Sequence, residues 1–387
     1  MPRLLIVTTI PATLSAFLLP FARHYRACGW QVDAMTRSEP ITPDIHSAFD
    51  QVWTLPWSRH PVNPSNLIGT PQRIRQIVER ERYDIVHVHT SVAAFVTRYA
   101  LRDLRRRLGV CVIYTAHGFN FDQSMPWHKN LVFLALEKLA SAWMDYQVVI
   151  NRTDELAAIR YRLAPPDRVW YMPGIGVDLT HYCPDSIPDA EAEAVRREMG
   201  VAPDEALVLM IAEFIPRKRH ADVLRAFARL GRRNAHLALA GTGPLLEPMR
   251  RLAGDLGIAG QTHFLGYRSD VPALLRAATM MILPSRQEGL PRSILEAMAM
   301  GVPVIGSDIR GVRDLLADGA GMLVPVGDIE ALAHAIARVI DDRAVARAMA
   351  ERGLEQAQRY DLQRIIALHD QLYAAALSKR HAYAPIS

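Results

Sequence analysis

Leu283-Pro284-Ser285-Arg286-Gln287-Glu288-Gly289-Leu290-Pro291-Arg292-Ser293-Ile294-Leu295-Glu296-Ala297-Met298-Ala299-Met300-Gly301-Val302-Pro303 runs from an apolar strand into a tight Glu-Gly loop and then into a helix. Pro291 sits where the first helical turn begins, a position where its missing N–H costs nothing. The next amides, on Arg292 and Ser293, then point out of a helix N-terminus. That end carries partial positive charge and donors without intrahelical acceptors, so it suits a diphosphate. Glu296, about one and a half turns into the helix, reaches the same side as Glu288. Two carboxylates flanking such an end can accept hydrogen bonds from sugar hydroxyls without touching phosphate. The competing reading makes Glu288 an exposed loop acid and Glu296 an i, i+4 partner of Arg292.

Outward from this stretch, short β-branched runs alternate with longer helical ones, the pattern of βαβ units around a buried parallel sheet. Strands are expected at 4–8, 31–35, 85–89, 110–115 and 147–150, with helices near 14–28, 71–82, 92–108, 128–142 and 152–162. From Pro173-Gly174-Ile175-Gly176-Val177-Asp178 to about 203 the pattern breaks into a polar, hinge-like segment. Strands then resume at 207–212, 236–240, 262–265, 280–283 and 303–306. Helices fall at 221–230, 244–256, 271–277, 291–300, 328–340, 343–358 and 361–378. The expected architecture is α/β, with two doubly wound Rossmann-like domains facing across a cleft: an acceptor-side domain at 1–175 and a donor domain at 176–365. A C-terminal helix and tail at 366–387 is expected to pack back on the first domain. Open α/β sheets bind ligands at the carboxyl ends of their strands, so the loops there are the place to seek chemistry.

A chain of 387 residues exceeds the size at which one hydrophobic core stops growing. Cys28, Cys111 and Cys183 are too few and too scattered for a disulfide framework, and no Cys-x-x-Cys pair points to zinc, so a reducing compartment fits. Residues 1–180 hold 20 Lys and Arg against 15 Asp and Glu, and so carry all of the net charge of +5. Arg98, Arg102, Arg105, Arg106 and Arg107 crowd one helical stretch that suits either phosphate or a solvated face. The apolar, Trp-bearing Val52-Trp53-Thr54-Leu55-Pro56-Trp57 suits a membrane interface or the core. The uncharged stretch 4–22 is broken by Pro11, Pro20 and several hydroxyl residues, so it reads as strand, loop and helix start rather than a membrane helix. The arginines are not interleaved with a stacking platform, which argues against nucleic acid.

The run Pro284 to Pro291 with Glu296-Ala297-Met298-Ala299 resembles the paired-glutamate motif of glycosyltransferase family 4, enzymes of the GT-B fold. Gly241-Thr242-Gly243-Pro244, Phe264-Leu265-Gly266-Tyr267, Gly301-Val302-Pro303-Val304-Ile305, Gly311 and Gly319-Ala320-Gly321-Met322-Leu323-Val324 match in order. The resemblance spans nearly the whole chain, and the string His117-Gly118-Phe119-Asn120-Phe121 is similar to a subgroup that makes capsular and exopolysaccharide. It implies retaining transfer of a hexose or N-acetylhexosamine from a nucleoside diphosphate sugar, read as a UDP-sugar, to a carbohydrate or lipid-linked acceptor. His117 and Glu288 would then be the catalytic residues. Lys218, Arg217, Gly241, Gly243, Gly289, Leu290, Arg292, Ser293 and Glu296 would bind the donor. Where the family usually places an arginine, this chain has Glu213, so Arg217 or Arg219 is left to take that role. The first loop, Thr8-Thr9-Ile10-Pro11, lacks the family's Gly-Gly pair. No Asp-x-Asp occurs, so neither metal nor cofactor is expected, and lysine, amides and helix end offset the diphosphate charge. The implied setting is cytoplasmic, at the inner face of a membrane, with peripheral contact through the basic first domain. The alternatives are a sugar-nucleotide 2-epimerase of the same fold and a non-catalytic membrane-associated homologue.

Overall fold

The computed structural model describes residues 1–57, 63, 66, 69–121 and 126–383, with the side chains of 380–383 excepted. The chain forms two compact units: Met1–Ile175 together with the chain from Ile365 on, and Gly176–Arg364. The expected tail at 366–387 thus has its last four residues outside the described ones.

The first unit is built on β1 (Arg3–Val7), β2 (Gln31–Arg37), β3 (Gln51–Leu55), β4 (Ile85–His89), β5 (Cys111–Ala116), β6 (Tyr146–Val149) and β7 (Val169–Tyr171). They pair in the order β3-β2-β1-β4-β5-β6-β7, every pair parallel. The second unit holds β8 (Ala206–Ile211), β9 (Ala235–Ala240), β10 (Thr262–Gly266), β11 (Met280–Leu283), β12 (Val304–Ser307) and β13 (Met322–Val324). Their order is β10-β9-β8-β11-β12-β13, again all parallel. Central strands such as β1, β4 and β8 are buried along most of their length, as a sheet screened on both faces requires, which is why β1 and β8 read as near-continuous apolar runs. Strand order reverses between β1 and β4 in one sheet and between β8 and β11 in the other. Doubly wound sheets bind ligands outside the carboxyl ends of their strands at that reversal.

Several elements depart from the sequence expectation for local reasons. The helix expected over 92–108 breaks into Ser91–Leu101 and Leu104–Leu108, and the break lets Arg105 reach inward. The polar stretch near 178–203 contains a helix, Asp189–Glu198, with Ala192, Val195 and Met199 buried at helical spacing. The edge strands β3, β7 and β13 are short and only partly buried, so they lack the apolar runs that mark the interior.

The arginine cluster does not form one phosphate-facing surface. Arg98 is 0% exposed; it donates to Glu137 Oε2 at 2.9 Å and to the Ala94 carbonyl at 3.1 Å, and it lies over the Tyr114 ring. Arg105 pairs with Asp145 at 2.7 Å, which also receives Lys379 at 2.9 Å. Arg107 pairs with Glu79. Nor do the tryptophans form an interface: Trp57 is buried, and Trp53 donates to Tyr83 Oη at 3.0 Å beneath the Arg80 guanidinium. The C-terminal helix Leu362–Tyr383 buries Ile365, Leu372, Tyr373 and Ala376 in the first unit.

Candidate active site

The second unit brings two loops together at its strand reversal. After β8 the chain turns through Pro216–Lys218, passes Arg219 in a left-handed conformation (φ 58°) and enters the helix His220–Leu230. After β11 comes the Glu-Gly loop. Lys218 Nζ lies 2.5 Å from Glu288 Oε1, and the Arg217 guanidinium donates to the Gln287 carbonyl at 3.2 Å and to Glu288 Oε2 at 3.4 Å. The Arg286 amide closes the junction on the Arg217 carbonyl at 2.8 Å. Glu288 is therefore not an exposed loop acid: it is 8% exposed and held by two cations. Desolvating a carboxylate is offset only when partners of this kind remain. Arg219 instead pairs with Asp222, so it is Arg217 that stands beside Glu288, while Glu213 is exposed.

Gly241 and Gly243 have a backbone reason for being glycine. A Cβ on Gly241 would lie 2.0 Å from the Ala212 carbonyl oxygen, and one on Gly243 2.7 Å from that of Phe214. This close approach lets the Phe214 amide reach the Thr242 carbonyl at 2.8 Å and the Leu245 amide reach Phe214 at 3.0 Å. The loop after β9 thereby fixes the segment that leads to Lys218. Gly289 and Leu290 are half-buried, and Gly311 packs its α-carbon against the Gly289 carbonyl.

The helix spans Arg292–Ala299, and Pro291 is its N-cap rather than its first residue. The Ile294 and Leu295 amides both bond the Pro291 carbonyl, and the Arg292 and Ser293 amides precede them in the first turn. Arg292 Nε lies 2.6 Å from Glu296 Oε1, the i, i+4 pair of the competing reading. The sequence reading missed Tyr182, whose hydroxyl also bonds Glu296. Burial raises the Glu296 carboxyl above its ordinary value against the pull of Arg292 and Tyr182. The buried hydroxyls of Ser285 and Ser307, at the carboxyl ends of β11 and β12, have no hydrogen-bond partner among the described residues. Buried orphans of this kind mark a place for a ligand or water. Among the described residues no group of three or more His, Cys, Asp or Glu could hold a metal.

In the first unit His117 follows β5 directly, and its loop is anchored by the buried, stacked rings of Phe119 and Phe121 and by the Phe119 amide on Asp154. Its Nε2 lies 3.0 Å from His89 Nδ1 at the end of β4. Burial, with His369 adding to it, pushes His117 down to about 4, so the ring is neutral at physiological pH. His89 escaped the sequence reading, although His87-Val88-His89 puts two imidazoles on one face of a buried strand. In place of a Gly-Gly pair the first loop is tied by hydroxyls: Thr9 and Thr90 Oγ1 atoms are 2.6 Å apart, and Thr90 takes an unusual positive φ of 66°.

Two parallel Rossmann-like sheets of seven and six strands make up the GT-B fold of glycosyltransferases. Residues 14–174 match the glycosyl transferase 4-like domain and residues 191–356 match glycosyl transferases group 1. The chain belongs to this glycosyltransferase family. It is 30% identical over 96% of both chains to EpsD of Bacillus subtilis (strain 168), which carries a glycosyltransferase name. It is 28% identical, over 69% of each chain, to the Escherichia coli UDP-Gal:alpha-D-GlcNAc-diphosphoundecaprenol alpha-1,3-galactosyltransferase. The crystal structure of Anabaena HepE in complex with UDP superposes with a TM-score of 0.80 at 20% identity, covering 97% of this chain and all of that one, a likeness of fold. No helix among the described residues is long and apolar enough to cross a membrane.

Proposed function

We propose that the protein transfers a hexose or N-acetylhexosamine from a UDP-sugar to a carbohydrate hydroxyl of a lipid-linked acceptor, with retention of configuration and without a metal. The observation that carries the donor reading is the Lys218–Glu288 pair beside the start of the helix Arg292–Ala299, at the reversal between β8 and β11. Breaking the anomeric bond leaves negative charge on the departing diphosphate. In this reading Lys218, Arg217 and the first-turn amides of Arg292 and Ser293 offset that charge. Glu288 orients the sugar ring once the diphosphate competes for Lys218, Glu296 takes the ribose hydroxyls, and neutral His117 bonds the sugar as a dipole. Gly241, Gly243, Gly289 and Leu290 shape the loops around the diphosphate. HepE binds UDP, and the E. coli relative acts with UDP-Gal on a diphosphoundecaprenol-linked sugar, which supports both halves of the proposal.

The lipid-linked acceptor has support on the surface of the first unit. The helix Trp127–Ser141 exposes Trp127 (78%), Leu131 (60%), Val132 (58%) and Leu139 (55%), with Lys129 exposed near them, while Lys138 bonds the Tyr161 and Arg162 carbonyls. Exposed apolar side chains of this kind suit the plane of a bilayer, which supports a setting at the cytoplasmic face of a membrane.

Screening nucleotide sugars for thermal stabilisation, then for transfer with and without acceptor, tests the assignment. A cognate donor at a hundred times its Kd stabilises the folded protein by about 2.7 kcal/mol. An epimeric UDP-sugar formed without acceptor would overturn the transferase reading. For the surface, wild type should co-sediment with anionic vesicles at low salt and a Trp127→Ser, Leu131→Ser variant should not. Equal sedimentation of the two would remove this helix from the contact.

A further inference from the structure

β4 carries His87 and His89 two residues apart, so both rings leave the strand on the same face. The C-terminal helix adds His369 and Tyr373, one helical turn apart, and the loop after β5 adds His117. His87 is fixed at both nitrogens: Nδ1 lies 2.6 Å from Tyr373 Oη and Nε2 lies 2.7 Å from Thr115 Oγ1. The His89 ring rests against it, 4.3 Å between centroids, and His89 Nδ1 meets His117 Nε2 at 3.0 Å. Phe17 also neighbours the His117 ring, nearly parallel to it with 6.3 Å between centroids, and it comes from the π-helical turn Leu14–Leu18. Such turns are uncommon and recur at functional sites.

We infer that His89 is a positioning residue for His117: it ties His117 Nε2, sets the plane of that ring and leaves Nδ1 as the ring nitrogen that meets the sugar. This rests on the reading of His117 as a sugar-facing group. Two neutral imidazoles share a single proton across such a contact, because a neutral ring donates at one nitrogen and accepts at the other. Whichever ring donates, His117 Nε2 is occupied by His89 and the orientation of the His117 ring is set. Burial pushes both rings below their ordinary value, which keeps the pair neutral. The titratable groups around it are His87 on β4, His369, Asp370 and Tyr373 on the C-terminal helix, and Asp154, which accepts from the Phe119 amide. The chain of contacts Tyr373–His87–His89, a hydrogen bond followed by a ring contact, makes the C-terminal helix part of the support for His117.

Three variants at one position separate this role from simple packing. His89→Leu removes the tie and lowers kcat by up to about a hundred-fold, the scale of an ångström of misplacement, with donor KM little changed. His89→Asn puts an amide nitrogen close to the position of Nδ1 and restores most of the activity. His89→Asp supplies a carboxylate that accepts only, so it favours the His117 imidazolium and moves the acidic limb of the kcat–pH profile upward by more than about one unit. His89→Leu with wild-type kcat and pH profile, or His89→Asn as damaged as leucine, would overturn the inference. The same holds for His89→Asp with an unmoved acidic limb, and the Asn and Asp tests stand even if the leucine variant fails to fold. His117→Ala is run beside them: full activity there would overturn the reading of His117 itself, whereas an inactive His117→Ala with an indifferent His89 would overturn only the positioning role.

Discussion

Gly311→Ala should impair the enzyme although Gly311 is not itself assigned to the donor. Gly311 has φ 75° and ψ −45°, close to the rare and strained γ-turn that side chains avoid. A Cβ there would stand 1.9 Å from the Gly289 carbonyl oxygen and 2.7 Å from its carbon, against about 3.4 Å for ordinary contact. The obstacle is backbone, so the Glu288-Gly289 loop has to retreat by roughly 1.5 Å, or the turn at 311 has to open, which strains a residue by about 1–3 kcal/mol. Shifting Glu288 by that much costs transfer up to about a hundred-fold. The strain itself lowers Tm by a few degrees, at about 2–4 °C per kcal/mol for a unit of this size. Steady-state transfer kinetics and a thermal melt read both effects. Gly254→Ala is the control: its Cβ meets nothing within 4 Å, and in the helix Leu246–Asp255 alanine is the better helix former, so it should match or exceed wild type. Wild-type kcat/KM in Gly311→Ala would refute the claim that this contact fixes Glu288.

The remaining expectations concern stability. His117 and His369 are held down to about 4 by burial, and His87 and His89 lie well below 6.5. As pH falls from about 6.5 toward 4, the unfolded chain takes up protons that the native one refuses, so stability drops by about 1.4 kcal/mol per pH unit for each such group. Melts across that window should show a steep fall in Tm, and a flat profile would contradict the burial of these rings. Glu137→Leu leaves the Arg98 guanidinium buried without its carboxylate, and denaturant unfolding should show a loss of about 3–5 kcal/mol. A loss under 1 kcal/mol would mean that Arg98 finds another partner.

What was legible in the sequence follows from how each feature is built. β8 and β11 are buried on both faces, so they read as continuous apolar runs, and the Glu-Gly loop sat where such a run met a helix. β3 read equally as interface or core because a strand at the rim of a sheet keeps polar residues beside Val52 and Trp53, and burial of Trp57 is a tertiary fact. The arginines stayed ambiguous for the same reason: a two-residue break at Arg102-Asp103 decides whether Arg105 faces solvent or Asp145, and no local pattern records it. In the site, residues on the two loops that meet at the β8/β11 reversal were recoverable from motif and strand order. Tyr182 and His89 were not, because the partner of each lies elsewhere in the chain: within the second unit Tyr182 is more than a hundred residues from Glu296, and within the first His89 is one strand before His117.

Titrating UDP into wild type and Lys218→Met by calorimetry asks most directly whether the cation at the β8/β11 reversal grips a nucleoside diphosphate. The account predicts saturable binding to wild type and affinity at least about tenfold weaker in the variant, since losing a charge-assisted hydrogen bond is worth about 1.5–3 kcal/mol. Equal affinity in a folded Lys218→Met protein would contradict it.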